Sequence, residues 1–121
     1  MMKQSKCACE GAYLDKFIRP SILLELYDQE LNGLQLLKHV NQGTMSRYGK
    51  LDPTGFYRML KNMEETGYIS SHWKITQKEK PVKVYSITNK GTACLKTWEH
   101  TLGQYIKDIG ELLAHIIEKT K

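Results

Sequence analysis

The chain has 121 residues, 40% of them hydrophobic, which is enough for one modest core and too little for two independent domains. No stretch approaches the roughly 18 consecutive apolar residues of a membrane span, and residues 1–10 lack the apolar run of a signal peptide. Three cysteines, an odd number, argue against a disulfide framework. We therefore expect a single-domain cytoplasmic protein with free thiols.

The net charge of +5 is concentrated in one part of the sequence. Residues 1–46 carry five basic and five acidic side chains, and residues 91–121 carry four of each. Residues 47–90 carry nine basic side chains against four acidic ones, so the whole surplus lies there. Such a concentrated surplus is typical of a surface that binds a polyanion. The alternative is a basic face that only maintains solubility.

Two amphipathic helices are predicted in the first third of the chain. The first spans residues 19–29, where Pro20 suits the first helical turn and apolar residues recur at helical spacing. Asn32 and Gly33 then predict a turn. A second run of apolar residues at helical spacing follows this turn and ends before residues 41–43, which predicts the second helix.

The third predicted helix carries the polar side chains that could read DNA. Asp52 can accept a backbone hydrogen bond as N-cap, Pro53 suits the first position, and Gly67 provides a stop. A helix in the major groove presents polar side chains to base edges and phosphates. An ordinary solvated face is the alternative. The candidate DNA-binding residues on this helix are Thr54, Tyr57, Arg58, Lys61 and Asn62.

A hairpin is predicted next, because residues 68–75 and 82–87 are rich in aromatic and β-branched side chains. The polar and basic loop between them places Lys78, Lys80 and Lys83 at or beside the tip. Lysines on such a loop can reach phosphates without reading sequence. A charged tip is also common in soluble proteins, so the hairpin supports DNA binding only together with the third helix.

The rest of the chain, residues 89–119, is predicted to form one long helix with Thr88 as its cap. Its apolar residues alternate in steps of three and four for about three heptads, further than one small body would cover. We therefore expect a homodimer through this helix. Gly103 and Gly110 cost a helix roughly 1 kcal/mol each, so they either permit close helix approach or mark a bend. The candidate dimerisation residues are Leu95, Trp98, Leu102, Tyr105, Ile109, Leu112 and Ile116.

Three helices, a hairpin and a long helix predict a mainly α (α+β) fold, a winged helix-turn-helix with a two-stranded wing and a C-terminal dimerisation helix. We expect an N-terminal arm in residues 1–17, the winged helix domain in 18–88 and the dimerisation helix in 89–121. A dimer of this kind suits a two-fold symmetric operator in double-stranded DNA. The competing interpretation is a winged-helix adaptor that binds a protein partner and never contacts DNA.

Residues 18–98 resemble the PadR family of bacterial and archaeal regulators. The similarity runs through residues 52–69 of the third helix and its end, then Trp73, residues 83–88, Gly91 and Trp98. Two departures are Arg58, where many members have proline, and residues 32–34, where many have a His-Gly-Tyr-like turn. The resemblance implies a dimeric repressor whose third helix, with Tyr57 and Lys83, approaches DNA.

The resemblance also implies a possible small-molecule effector, since some members bind aromatic or cationic compounds between paired C-terminal helices. Trp98 and Tyr105 would then be stacking surfaces. The alternative is that both are ordinary residues of the dimer contact, where large aromatics are common.

Cys7 and Cys9 are the candidate metal ligands, because two thiolates so close together can bind a soft metal or respond to oxidants. Cys94, His100 or His115 could complete a site, and a plain N-terminal arm is the alternative. No cofactor is required by the sequence. The chain lacks a glycine-rich phosphate loop, a serine elbow and a His-Glu-x-x-His motif, so we expect no enzyme activity.

Overall fold

The computed structural model describes residues 15–48, 51–75 and 80–121. The helices and the hairpin follow the predicted order, three helices, a hairpin and a long helix, and a short unpredicted strand lies between the first two helices. None of the described helices is sufficiently long and apolar to cross a membrane. The elements are α1 (Ile18–Leu26), β1 (Leu31–Asn32), α2 (Gly33–Asn41), α3 (Pro53–Glu65), β2 (Ile69–Lys74), β3 (Val82–Ile87) and α4 (Asn89–Thr120), with 3-10 turns at Asp15–Phe17 and Thr44–Tyr48.

The ends of the helices follow from their capping residues. The Asp52 carboxylate accepts a hydrogen bond from the Gly55 N–H at 2.9 Å, and Pro53 occupies the first turn of α3. Gly67 ends this helix with a φ of 88°, in the left-handed region that glycine adopts without strain. At α4 the Thr88 side chain accepts from the Gly91 N–H at 3.0 Å. The predicted caps of α3 and α4 are therefore confirmed.

The sheet has three strands where a two-stranded wing was predicted. Its order is β1-β3-β2, with both pairings antiparallel. Leu31 pairs with Tyr85 and Asn32 with Val84. The chain therefore leaves the helical path after Leu26 to reach the sheet, and α1 is shorter than predicted. Asn32 also caps α2, accepting from the Gln35 N–H at 2.8 Å. The predicted turn at Asn32 is therefore a strand end and a helix cap at once.

The core lies between the three short helices and the inner face of the sheet. Gly91 joins α4 to this body, because a Cβ at this position would collide with the Tyr68 carbonyl oxygen. Only the first part of α4 contacts the core, through the partly buried Cys94 and Leu95. The buried core residues are Ile22, Leu23, Leu26, Leu31, Leu36, Leu37, Val40, Phe56, Leu60, Met63, Ile69 and Tyr85.

Candidate nucleic-acid interface and adjoining groove

Helix α3 presents one polar face to solvent. Its apolar residues Phe56, Leu60 and Met63 are buried, which turns the opposite side outward. Three of the predicted DNA-binding residues, Thr54, Arg58 and Lys61, lie on this outward side and are exposed. Glu65 is also exposed, one helical turn after Lys61, so the two cations lie in the middle of the helix and a carboxylate lies at its end.

Tyr57 lies at the edge of this face and joins α3 to α2. Its ring packs edge-on against Phe56 with 5.8 Å between centroids. A Cβ at Gly33 would lie 2.6 Å from a carbon of the Tyr57 ring, so the absence of a side chain at Gly33 admits the tyrosine. The tyrosine remains 41% exposed. It is therefore partly a packing residue and partly available at the surface.

The wing is tied to α3 by one carboxylate. Glu64 accepts the Ser71 hydroxyl of β2 through Oε2, and its Oε1 lies 3.4 Å from the Lys83 Nζ of β3. The same ammonium lies 5.6 Å from the centre of the Tyr85 ring. Burial raises the pKa of the Tyr85 hydroxyl, so the phenol beside Lys83 stays neutral at physiological pH. Lys83 therefore shares its charge with Glu64, and the rest of its ammonium could still donate to a phosphate.

The other wing lysines have different positions. Lys74 and Lys80 are both exposed. Lys74 lies on the opposite face of the hairpin from Lys83, because Lys83 is paired with Trp73 and side chains alternate along a strand. Lys78, predicted at the tip, lies outside the described residues. The wing therefore offers Lys80 and Lys74 as cations with no ion pair among the described residues.

The side of α3 away from the wing contacts α1. The Arg19 guanidinium of α1 donates from Nη2 to the Asn62 Oδ1 at 2.6 Å. Asn62 was predicted as a DNA-binding residue, whereas Arg19 was not predicted at all. No local sequence signal connects two residues that are 43 positions apart. The structure thus brings one further cation next to α3.

Lys90 is basic but does not belong to this surface. Its Nζ donates to the Thr66 carbonyl oxygen at 2.6 Å and lies 4.6 Å from the centre of the Tyr68 ring. It therefore closes the C-terminal end of α3. Four cations of the basic segment lie on α3 or the wing and have no ion pair among the described residues. They are Arg58, Lys61, Lys74 and Lys80.

An apolar groove of about 520 Å³ runs between α1 and the first half of α4. Phe17 lies at its end and contacts both Trp98 and Tyr105 edge-on, each with 6.3 Å between ring centroids. The predicted dimerisation residues Leu95, Trp98 and Leu102 line this groove, so they face their own chain. The other apolar lining residues are Phe17, Pro20, Leu24, Tyr27 and Met45.

The second half of α4 extends past this body with its apolar residues bare. The predicted dimerisation residues Ile109, Leu112 and Ile116 are 50–61% exposed. The prediction missed the residues beside them, because it followed a single seam with steps of three and four. The exposed apolar stripe is wider than this seam, because it also includes Ile106, Leu113 and Ile117.

The predicted metal ligands Cys7 and Cys9 lie outside the described residues. Cys94 is partly buried against the core. The described part of the chain holds no group of three or more His, Cys, Asp or Glu side chains that could bind a metal ion. Cys94, His100 and His115 therefore form no such site by themselves.

Comparison with known protein families identifies the family to which this chain belongs. The model of the transcriptional regulator PadR-like family matches residues 22–97, well over half of the chain. The chain belongs to the PadR-like family of transcriptional regulators. Because this is a family of regulators, the expectation of a non-enzymatic protein is confirmed. The match runs from α1 to the first part of α4 and stops before the bare half of that helix.

Solved structures of PadR-like proteins share the fold. A candidate transcriptional regulator from Thermoplasma acidophilum is 31% identical, with a TM-score of 0.70 over 84% of this chain and 94% of that one. A PadR family transcription regulator from Clostridium difficile is 23% identical, with a TM-score of 0.71 over 80% of this chain and 98% of that one.

Bacillus subtilis PadR, solved in complex with operator DNA, is 22% identical to this chain. Its TM-score is 0.58 over 67% of this chain and 45% of that one. No curated protein sequence matches the chain. The predicted winged-helix fold with a long C-terminal helix is confirmed by these PadR-like structures.

Proposed function

We propose that this PadR-like protein is a homodimeric repressor that binds operator DNA in a sequence-specific manner and is released by a small-molecule, metal or redox signal. The proposal depends on the outward face of α3, where the side chains of Thr54, Arg58 and Lys61 are all exposed to solvent. Arginine can bond both acceptors of a guanine edge, and lysine can neutralise a phosphate. The operator-bound relative from Bacillus subtilis supports DNA as the partner.

The bare half of α4 supports the homodimer. Large apolar side chains that continue for three helical turns are unfavourable in water, and a second copy of the same helix would cover them. Two copies would double each phosphate contact and match a two-fold symmetric operator. The mass of the protein in solution, by size exclusion with light scattering, tests this directly, and the expected mass is twice that of the chain.

The groove between α1 and α4 supports a small-molecule signal. A volume of about 520 Å³ lies in the range of drug-sized sites, and Trp98 supplies a stacking surface. Flat aromatic cations are the probes to use, with quenching of Trp98 fluorescence measured in a Trp73→Phe background. Saturable quenching that is weakened by Leu24→Lys, which places a positive charge on the groove wall and keeps Trp98 as the reporter, supports the site, and unsaturable quenching contradicts it.

Cys7 and Cys9 remain the residues of a metal or redox signal. Elemental analysis of protein purified without a chelator should find a soft metal in the wild type and less in Cys7→Ser. Equal and negligible metal in both, with DNA binding insensitive to oxidants, would remove this branch of the proposal.

DNA binding is tested with the upstream region of the protein's own gene by fluorescence anisotropy. With about three to five contacts per subunit, log affinity should fall against log salt with a slope of roughly −5 to −9. Arg58→Ala and Lys61→Ala should each weaken binding at least about tenfold. Lys119→Ala removes the same charge at the far end of α4 and should bind as the wild type does.

The Arg58→Lys variant distinguishes recognition of base edges by Arg58 from the attraction of its positive charge to phosphates. It keeps the cation but loses the two-bond guanidinium fork, so it should bind mixed-sequence DNA normally and lose preference for the operator. If the wild type has no affinity for duplex at low salt and instead retains a protein partner, the adaptor interpretation replaces this one. Wild-type binding by both α3 alanine variants would show that α3 is not the recognition helix.

A further inference from the structure

The side of α3 away from the wing carries a charged contact that the repressor proposal does not use. Arg19 of α1 donates from Nη2 to the Asn62 Oδ1 at 2.6 Å, and the bond is charge-assisted because the guanidinium is ionised. Both residues are at the surface, Asn62 exposed and Arg19 half-buried. The contact therefore lies beside the outward face of α3, one helical turn after Arg58.

The chemistry of the pair determines which groups it offers to a ligand. Arginine has only donors, so the amide atom that faces it must be the oxygen, and the Asn62 Nδ2 points elsewhere. The guanidinium has five N–H groups, of which this bond uses one. The other N–H groups surround one positive charge, and this arrangement suits an anion with several oxygens.

The position of the pair favours a backbone phosphate over a base. Residues on the outward face of a recognition helix look into the groove, whereas residues on its flanks look toward the backbone that borders the groove. Tyr57 and Glu64 form the flank toward the sheet and wing, and Asn62 lies on the other flank. Because its oxygen already accepts from Arg19, Asn62 would have to share or give up this bond to make the two-bond contact with adenine that needs both amide groups.

We propose that Arg19 binds a phosphate of the DNA backbone and that Asn62 is the positioning residue that holds its guanidinium beside α3. This inference rests on the proposed function. It assigns a phosphate contact to α1, outside the recognition helix and the wing. It also replaces direct base reading by Asn62 with a role in orienting Arg19.

The competing explanation is that the bond only clamps α1 to α3. Anisotropy with a labelled duplex of mixed sequence separates the two, because phosphate contacts do not depend on sequence. Arg19→Ala should lower affinity about tenfold or more and reduce the steepness of the salt dependence by about 1 per subunit. Arg19→Lys should keep the salt dependence and lose part of the affinity, because it keeps the charge without the fork.

Asn62 variants distinguish positioning from stability. Asn62→Ala should lower affinity with little change in the salt slope, since the charge stays but is no longer held. Asn62→Asp keeps and strengthens the bond to Arg19 while cancelling its charge, so affinity should fall at least as far as in Arg19→Ala and the melting temperature should not fall. Lys119→Ala is the charge-matched control and should bind as the wild type does.

The outcomes also separate this inference from the proposed function. If the wild type binds duplex with a steep salt dependence and Arg19→Ala has the same affinity and slope, the phosphate contact is wrong and the repressor proposal stands. If Asn62→Asp binds DNA normally, Asn62 does not act through the charge of Arg19. If the wild type does not bind duplex at all, the proposed function itself fails.

Discussion

The two halves of α4 carry the same heptad pattern and have different surroundings. In the first half Leu95, Trp98 and Leu102 lie against α1 or line the groove beside it. In the second half Ile109 and Leu112 are about 60% exposed. A heptad pattern therefore reports that an apolar stripe exists, but not whether the same chain or another one covers it.

The difference follows from length. An α-helix rises about 1.5 Å per residue, so the 32 residues of α4 extend far beyond a body built from three short helices and a small sheet. Only the part from Gly91, where α4 leaves the sheet, to Tyr105, which contacts Phe17, reaches that body. The first half of α4 should thus determine the stability of the monomer, and the second half the association of two copies.

The largest effect is expected from a charge in the second half. Leu112→Asp should convert the dimer into a monomer, because a carboxylate would be buried without a partner at the helix contact. Affinity for a two-half-site operator should fall by about two orders of magnitude, since the half-sites no longer bind together. Light scattering measures the mass and anisotropy the affinity.

Ala114→Asp is the matched control, since it adds the same charge about 200° around the helix from Leu112, where Ala114 is exposed. It should remain dimeric. A dimeric Leu112→Asp would mean that the second half of α4 is not the association surface, and the comparison between the halves would lose its basis.

Much of the fold was predictable because its signals are local. The Asp52-Pro53 start of α3, the bounds of β3 and the length of α4 each follow from neighbouring residues. Strand β1 was missed because two residues have no periodicity, and their extended form depends on Val84 and Tyr85 more than fifty positions away. Sequence propensity contains no information on such a pairing.

The candidate site likewise has features that follow from local sequence and features that depend on packing between elements. The outward position of Arg58 and Lys61 follows from the buried face of their own helix. The ion pair of Lys83 with Glu64 and the contact of Arg19 with Asn62 depend on how elements pack, so counting charges along the chain could not reveal them. Charge segregation indicates a polyanion surface but overcounts the cations that are free to form it.

A smaller effect tests the first half of α4. In the monomeric Leu112→Asp background, Leu95→Ala should lower the free energy of unfolding by about 2 kcal/mol, because Leu95 packs against the core cluster. Ile116→Ala in the same background should change it by less than about 0.5 kcal/mol, since its side chain is already in water. Urea unfolding measures both, and equal losses would contradict the division of α4.

The smallest effect is expected at Gly103, at the boundary between the halves. A Cβ at Gly103 meets no atom within 4 Å, in contrast to Gly91, where it would collide with the backbone of Tyr68. Gly103→Ala should therefore raise the free energy of unfolding of the Leu112→Asp monomer by about 1 kcal/mol, because alanine restricts the unfolded chain and favours the helix. The same substitution in the wild-type dimer decides between the two interpretations of the glycine. If it leaves the dimer dissociation constant unchanged, Gly103 lies outside the helix contact. A weaker dimer would instead show that the partner helix approaches α4 at this glycine, and that the association surface begins about one turn earlier than the bare residues indicate.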